Sequence, residues 1–275
     1  PCTAKLKEYH PGIPFKYFGN YLSAAFNARV RAAILANHYC FLNKHVSAHF
    51  IHSICEGQIQ LWRQCTGIGD LRITLTYPTD SQKEGDLSLL LWHESGLVFT
   101  LSFTIAPGKP LGIEENQVIY VGRLQGTRLG TQIFREIAKS LHEVSPPALL
   151  LAAAQGIANT FGIPSIVGVS ACAQICLRDC EVGSRAHSVY DDFWMSAGAQ
   201  RLEKDMYYLP AGAEEKPLSQ IKSNHRSRVK RKRQFRHSVM KQVFMTFKEN
   251  CLAHHEPLPA APLELAVSGV QQFAA

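Results

Sequence analysis

The sequence predicts an α+β (α/β) protein in which N-terminal helices precede a mixed, mostly antiparallel central sheet flanked by further helices. Apolar residues recur at helical spacing over residues 26–64, which favours two helices in that region. The runs 70–77, 86–93 and 96–105 then alternate apolar and polar residues, as in an antiparallel meander. A strand–helix–strand order that begins at residue 117 indicates an α/β layer beside the meander.

The elements after the meander follow from apolar patterning and from glycine and proline signals. The run 117–124 is apolar on both faces, as a central strand is. Gly162 marks the end of a helix. The predicted elements are helices over 127–143 and 148–161, a buried strand over 163–169, a short helix over 190–196 and a last strand over 207–209.

A basic amphipathic helix is predicted over residues 223–248, and a Pro/Ala-rich tail that we expect to be disordered follows it. The chain therefore divides into four regions: an N-terminal helical region (1–66), an α/β core (67–212), the basic helix (213–252) and the tail (253–275).

Length and composition set limits on the class of protein. A chain of 275 residues with 46% hydrophobic content can bury a large core. The longest apolar runs stop after about eight residues, whereas a membrane-spanning helix needs roughly 20. The segment 2–18 lacks the pattern of a signal peptide, and the eight cysteines lack a regular disulfide spacing. We therefore expect a cytoplasmic protein with reduced thiols.

The positive charge of the chain is local. The formal net charge is +7, and eight basic residues without an acidic neighbour carry it. Such a stretch is a solvated helix face, a nucleic-acid contact or a helix on an anionic membrane. Its apolar continuation favours docking on lipid or on a domain over nucleic acid. The eight residues are Lys222, Arg226, Arg228, Lys230, Arg231, Lys232, Arg233 and Arg236.

Glycines follow the central strand at a position that we interpret as a turn. Glycine leaves backbone amides accessible to a phosphate or a carbonyl oxygen, so this segment is a candidate ligand cradle, with an ordinary bulge or turn as the alternative. The candidate residues are Gly122, Arg123, Leu124, Gln125 and Gly126.

Histidines and cysteines give weaker signals. His38 is a candidate general base, because a neutral imidazole accepts a proton near pH 7, and a hydrogen-bonded structural histidine is the competing interpretation. We expect no metal, since acidic partners are sparse around His38, His45, His49 and His52. The spacing of Cys172, Cys176 and Cys180 fits no iron–sulfur motif, and no G-x-S-x-G sequence supports a hydrolase.

An ordered set of short motifs over roughly residues 25–235 resembles the VirK-like family of Gram-negative bacterial proteins. The resemblance implies a role in envelope integrity, virulence and tolerance of antimicrobial peptides, without a defined reaction. The family places an asparagine and a histidine after its Val-Ser strand end, where this chain has Ala171 and Gln174. The motifs are Asn37-His38-Tyr39, Gly85-Asp86-Leu87-Ser88-Leu89, Leu101-Ser102-Phe103, Tyr120-Val121-Gly122-Arg123-Leu124-Gln125-Gly126, Pro147-Ala148-Leu149-Leu150, Gly168-Val169-Ser170, Tyr190-Asp191-Asp192-Phe193-Trp194 and Tyr208-Leu209-Pro210.

The order of elements also resembles the GNAT superfamily of acyltransferases, in which a bulged central strand and the next helix hold an acyl-thioester carrier. That resemblance implies acyl-CoA or an acyl carrier protein thioester as the donor. The superfamily's pyrophosphate loop, Q/R-x-x-G-x-G/A, is matched from Arg123 to Gly126, but Arg128 stands where a small residue is expected.

The leading hypothesis is therefore an acyltransferase-like or acyl-thioester-binding protein at the cytoplasmic face of the envelope. In it, His38 is the base, Tyr190 the acid for the departing thiolate, and Asp191 or Asp192 orients either group. The basic helix contacts an acidic carrier protein or anionic lipid. The alternative is a non-catalytic envelope-stress or virulence adaptor that binds a partner through this helix.

Overall fold

The structure is a computed structural model that describes residues 2–78, 83–127, 131–177, 185–212 and 217–253. The predicted tail, apart from residue 253, lies outside these ranges, as do Arg128 and Cys180.

Seven α-helices and eight strands make up the described part of the chain, together with short 3-10 turns. The helices are α1 (Cys2–Tyr9), α2 (Ala28–His45), α3 (Ala48–Glu56), α4 (Thr131–Ser140), α5 (Pro146–Thr160), α6 (Arg185–Ser196) and α7 (Ser223–Cys251). The strands are β1 (Ile59–Thr66), β2 (Gly69–Thr76), β3 (Leu87–His93), β4 (Gly96–Pro107), β5 (Gln117–Gly126), β6 (Ser165–Val169), β7 (Gln200–Leu202) and β8 (Met206–Pro210).

One eight-stranded sheet organises the molecule, in the order β1-β2-β3-β4-β5-β6-β8-β7. All neighbouring strands are antiparallel except β5 and β6, which are parallel. A parallel pair needs a crossover, and α4 and α5 provide it between β5 and β6. The predicted mixed, mostly antiparallel sheet between N-terminal helices and a long C-terminal helix is confirmed.

Burial on both sides of β5 confirms that it is a central strand. Ile119 and Val121 belong to the larger apolar core, which α3, α5 and α7 help to form. Val118 and Tyr120 belong to a second core on the opposite face, together with residues of α2 such as Ile34. Because side chains alternate along a strand, each core contacts every second residue of β5.

Three details of the sequence prediction were wrong. Residues 59–64, which we assigned to a helix, form the first half of β1, because Gly57 ends α3 and the chain then enters a hairpin with β2. The edge strand β7 was missed, and it is only three residues long. The helix predicted over 190–196 begins five residues earlier, at Arg185.

Helix α7 packs lengthwise on α5, and its apolar side is buried there through Val239, Val243 and Phe247. A Cβ atom on Gly156 of α5 would lie 2.6 Å from the backbone oxygen of Met240. The absence of a side chain at Gly156 therefore permits close approach of the two helices. Within the described ranges, none of the helices is both long and apolar enough to cross a membrane.

Gly156→Ala should destabilise the protein, although alanine is the better helix former by about 1 kcal/mol. The added methyl group meets backbone rather than a flexible side chain, so α7 must shift, and we expect a net loss of about 1–3 kcal/mol in the free energy of unfolding. Urea denaturation measures it. Gly19→Ala, where an added Cβ meets nothing within 4 Å, is the control, and equal stability of the two variants would contradict the close packing.

Candidate functional site

The candidate site lies where the two parallel strands separate. β5 and β6 pair only through Ile119–Ile166, Tyr120–Val167 and Val121–Gly168. Beyond this point β5 continues to Gly126, whereas the chain after β6 turns at residues 171–173. Ends of parallel strands that diverge in this way form the crevice in which α/β proteins commonly bind ligands.

Gly122 lies in an irregularity of β5 at this point. The register between β4 and β5 shifts so that Phe103 pairs with Val121 and Ser102 with Arg123, which leaves Gly122 without a partner in β4. A Cβ atom here would clash with the backbone oxygen of Glu84 and would lie 3.2 Å from the oxygen of Leu22. Glycine is required because two other backbone segments pass directly over the strand.

The prediction of a turn at residues 122–126 is therefore wrong, and the structure has a strand with a bulge there. Arg123, Leu124, Gln125 and Gly126 are strand residues that pair with residues 99–102 of β4. These four residues are paired with β4 through their backbone. Among the five candidate residues, Gly122 alone has no partner in β4, because it lies in the bulge. Together the five residues form one wall of the place where β5 and β6 separate.

A buried carboxylate connects this wall to the segment that follows β6. Glu84 is 4% exposed, and its Oε2 accepts a hydrogen bond of 2.9 Å from Nη1 of Arg123. Nε2 of Gln174 lies 3.5 Å from the other carboxylate oxygen. Gln174 is thus placed beside the carboxylate of Glu84.

Several polar side-chain atoms of residues at or near these strand ends are buried without a hydrogen-bond partner. Buried polar groups are paired in the great majority of cases, so such a concentration at the ends of two strands is unusual and indicates a site for a polar ligand group. The atoms are Nε of Arg123, Oγ of Ser170, Oε1 of Gln174, the hydroxyl of Tyr190 and Nε1 of Trp194.

Helix α6 places Tyr190 and Asp191 at the same strand ends. Burial raises the pKa of Tyr190 well above its ordinary value, and the nearby Trp194 indole opposes this only in part. The phenol is therefore a hydrogen-bond donor at neutral pH rather than a nucleophile. Asp191 accepts a hydrogen bond of 2.8 Å from the backbone N–H of Ala171, which attaches α6 to the turn after β6. Asp192 is exposed.

Cys176 lies at the rim of the site, where its Sγ is 3.5 Å from Oε1 of Gln125. Partial burial and the negative charge of Glu84 raise the pKa of the Cys176 thiol to about 12. The thiol stays protonated at neutral pH, which disfavours a role as a nucleophile.

His38 belongs to a different part of the fold. Its Nδ1 accepts a hydrogen bond of 3.1 Å from the backbone N–H of Ile105, and Nδ2 of the adjacent Asn37 donates to the oxygen of Ile105 at 3.1 Å. The pairing of β4 with β3 ends at Phe103, which lies opposite Leu87. At Ile105 this edge of β4 has no partner among the described strands, and His38 and Asn37 bond its backbone instead. This favours the structural interpretation of His38 over the general base.

The protonation state of His38 supports that interpretation. Burial lowers its pKa to about 4, while the charge of Asp86 opposes the shift and that of Lys16 adds to it. The ring is therefore neutral near pH 7. Because Nδ1 accepts a hydrogen bond, the proton is on Nε2, and the ring has no free acceptor nitrogen.

The neighbour of His38 is a buried and fully bonded carboxylate, Asp86. Its oxygens accept hydrogen bonds from Lys16 at 2.7 Å, Tyr39 at 2.8 Å and Thr104 at 2.8 Å, and a further bond from Tyr21. Burial opposes ionisation, but the charge of Lys16 and these hydrogen bonds hold the pKa of Asp86 well below its usual range. The network attaches the N-terminal segment to the sheet.

The eight clustered basic residues lie at the start and in the first half of α7, from its N-cap Lys222 to Arg236. Lys222, Arg226, Arg228, Lys230 and Arg231 are exposed, and Lys232, Arg233 and Arg236 are partly buried. Arg228 forms an ion pair of 3.4 Å with Glu143, at the turn between α4 and α5. Among the residues that the structure describes, no three His, Cys, Asp or Glu side chains are grouped so that they could hold a metal ion.

Comparison with protein-family models identifies the relationship of this chain. The model of the family described as "Protein of unknown function (DUF535)" matches residues 1–244. The chain belongs to the DUF535 family. No curated protein and no solved structure matches it.

Sequence reasoning missed several residues of this DUF535 protein that the structure places at the strand ends. Ser170 and Trp194 were recognised only as parts of motifs, and Glu84 was not recognised at all. The available signal for Glu84 was the segment Glu84-Gly85-Asp86, with two acids directly before a strongly apolar strand. No local pattern shows that Glu84 lies beside Arg123, which is 39 residues away in sequence.

Tyr190→Phe should leave the fold intact and raise the free energy of unfolding of the ligand-free DUF535 protein by about 1 kcal/mol, since an unpaired buried hydroxyl costs about 1–3 kcal/mol. Urea denaturation tests this. Tyr208→Phe is the control, because the Tyr208 hydroxyl is bonded to Glu115 and its removal should not stabilise the protein. A marked loss of stability in Tyr190→Phe would show that the Tyr190 hydroxyl is bonded within the protein.

The free energy of unfolding should fall on acidification from about pH 6.5 to about pH 4, in part because of His38. The unfolded ring binds a proton below 6.5 and the folded ring only below about 4, so the unfolded state takes up more protons in this window. The full difference is on the order of 3 kcal/mol. Because His10 also has a lowered pKa, it adds a loss of the same sign.

His38→Asn isolates this contribution, since an asparagine oxygen can replace Nδ1 as the acceptor and does not titrate. Urea titrations from pH 4 to 7 should show a clearly smaller loss for this variant, whereas His38→Ala should be less stable throughout the range. An equally steep loss in His38→Asn would refute the assignment of the titration to His38.

Proposed function

We propose that this protein binds an acyl thioester where β5 and β6 separate, and that it acts as an acyltransferase of the GNAT type. The observation that carries the proposal is the coincidence of three features at one place. These are the parting of the only parallel strand pair in the described sheet, the bulge at Gly122, and the cluster of buried polar atoms without partners. GNAT proteins, which the order of elements resembles, hold their acyl-thioester carrier at a bulged central strand and the next helix.

The polar atoms have distinct roles in this proposal. The Tyr190 hydroxyl and the Trp194 indole N–H are donors, and they are suited to a thioester carbonyl or to a departing thiolate. Glu84 and the free oxygen of Gln174 are acceptors, and they are suited to orient a donor group of the acyl acceptor.

The nature of the carrier follows from the charged residues near the site. Arg123 is paired with buried Glu84, which leaves it poorly suited to a pyrophosphate, and Arg128 of the presumed pyrophosphate loop lies outside the described residues. The exposed basic half of α7 is instead complementary to an acidic protein surface. We therefore favour an acyl carrier protein over acyl-CoA as the donor, with the protein at the cytoplasmic face of the envelope, as the VirK-like resemblance implies.

His38 is not the general base in this proposal. Its neutral ring has no free acceptor nitrogen, because Nδ1 already bonds the backbone of β4. We therefore propose that Glu84, instead of His38, accepts the proton of the acyl acceptor. His38→Asn should therefore keep ligand binding, whereas Glu84→Gln should reduce turnover more than donor binding.

An octanoyl-acyl carrier protein should raise the melting temperature of this protein. A ligand at 100 times its dissociation constant stabilises a folded protein by about 2.7 kcal/mol. The unacylated carrier protein and octanoyl-CoA are the comparisons. Tyr190→Phe should lose most of the acyl-dependent part of the shift, and Tyr208→Phe should keep it.

No stabilisation by either acyl donor would count against the proposal. A shift that is identical with and without the acyl group would locate binding at the carrier surface alone.

A second candidate function, a non-catalytic adaptor, is favoured by one observation. The first half of α7 is exposed and basic, while its apolar side is already used within the fold. An adaptor that uses this surface should bind vesicles containing phosphatidylglycerol in a salt-dependent manner. Charge reversal at Arg226 and Lys230 should abolish that binding and leave any shift caused by octanoyl-CoA unchanged.

A further inference from the structure

An apolar groove borders the Asp86 network, because Tyr39, which bonds Asp86, lines it. It runs between the outer face of α2 and the N-terminal segment formed by α1 and the 3-10 turn Ile13–Phe18. Its volume is about 410 Å³, which is in the range of about 300–1,000 Å³ that is typical of small-molecule sites. No part of the proposed acyltransfer chemistry uses it.

Small side chains keep the groove open along α2. Ala32, Ala36 and Cys40 line it and are spaced by four residues, so they lie on one face of the helix. From Ala32 to Cys40 this face extends for about 12 Å, at 1.5 Å per residue. Ile13 and Tyr17 form the opposite wall. Between these two walls the groove runs along α2 as an apolar channel.

Three of the residues that line the groove are polar: Lys7, Tyr39 and Asn43. The hydroxyl of Tyr39 is engaged by Asp86, so its ring contributes mainly an apolar surface. Lys7 and Asn43 also line the groove, and both are exposed. A ligand that fits this distribution has a long apolar part and one negatively charged end that is complementary to Lys7.

The surface beside the groove is suited to an amphiphile. Phe15 and Phe18 lie on the same 3-10 turn that supplies Ile13 and Tyr17, and they are 64% and 67% exposed. Their rings stack with centroids 6.3 Å apart. An exposed aromatic pair next to an apolar channel marks a binding surface rather than ordinary exposed side chains.

From this geometry we propose that the groove binds the single acyl chain of a fatty acid, with the carboxylate at Lys7 and the chain along Ala32, Ala36 and Cys40. The inference stands on the groove alone and does not depend on the proposed thioester site at β5 and β6. A failure of one leaves the other unaffected, because their test variants lie on different elements.

The test uses the full chain with dansyl-undecanoic acid as a fluorescent probe and decanoate as its competitor. The unmodified protein should bind the probe, and decanoate should displace it. Ala36→Trp should abolish binding because the indole fills the channel from an exposed helix position. Ala28→Trp, at another exposed position of α2 outside the groove, should bind as the unmodified protein does.

The role of Lys7 is tested by charge reversal. Lys7→Glu should weaken decanoate binding severalfold and leave the binding of decanol unchanged. Lys44→Glu is the matched control, since Lys44 is an exposed residue of α2 that does not line the groove. Equal weakening by both reversals would show a general charge effect and would overturn the placement of the carboxylate.

Two further results would overturn the proposal. One is an absence of probe binding to the unmodified protein, or probe binding that Ala36→Trp leaves intact. The other is dimerisation of the unmodified protein, seen by light scattering, that Ala36→Trp abolishes and the probe does not affect. In that case a second copy of the chain, rather than a fatty acid, covers the groove.

Discussion

The parallel pairing of β5 with β6 is the constraint on which the rest of the structure depends. Every other strand pair in the sheet is antiparallel, and the meander from β1 to β5 needs only short connections. The step to a parallel neighbour requires a long crossover, which brings α5 onto the sheet and gives α7 a surface on which to dock. It also directs two strand ends to the same side. Because the two strands pair over three positions only, their separation creates the place where distant polar residues meet.

The short segment that ends the connection between β2 and β3 joins the two polar parts of the molecule. Glu84 reaches the site at β5, and Asp86 forms the network that attaches Lys16, Tyr21 and Tyr39. Gly85 between them packs so closely on β4 that a Cβ atom would lie 2.6 Å from the backbone nitrogen of Phe103. The geometry of the site and the anchoring of the N-terminal segment are therefore coupled through three consecutive residues.

Features of this protein that depend on neighbouring residues in the sequence could be predicted, whereas features that depend on contacts between distant residues could not. Local alternation and helical spacing identified most strands and helices, because burial of one face leaves a periodic trace in the sequence. They failed for residues 59–64, where the apolar spacing also fits a helix, and for β7, which is too short to show a period. Gly122 and Tyr190, which the sequence singled out, both lie in the candidate site at these strand ends. Glu84 could not be predicted, since its partners lie 39 and 90 residues away and no local pattern encodes those contacts.

Two buried carboxylates that stand two residues apart show how structural and functional candidates can be separated. Asp86 has a charged partner and three hydroxyl donors, so its desolvation is offset within the fold and its role is structural. Glu84 has one clear partner, Arg123, and stands among polar atoms whose hydrogen-bonding capacity the fold leaves unused. A protein that needed Glu84 only for stability would gain from apolar neighbours at these positions. A polar ligand that bonds the unpaired donors and acceptors at these strand ends would account for their retention.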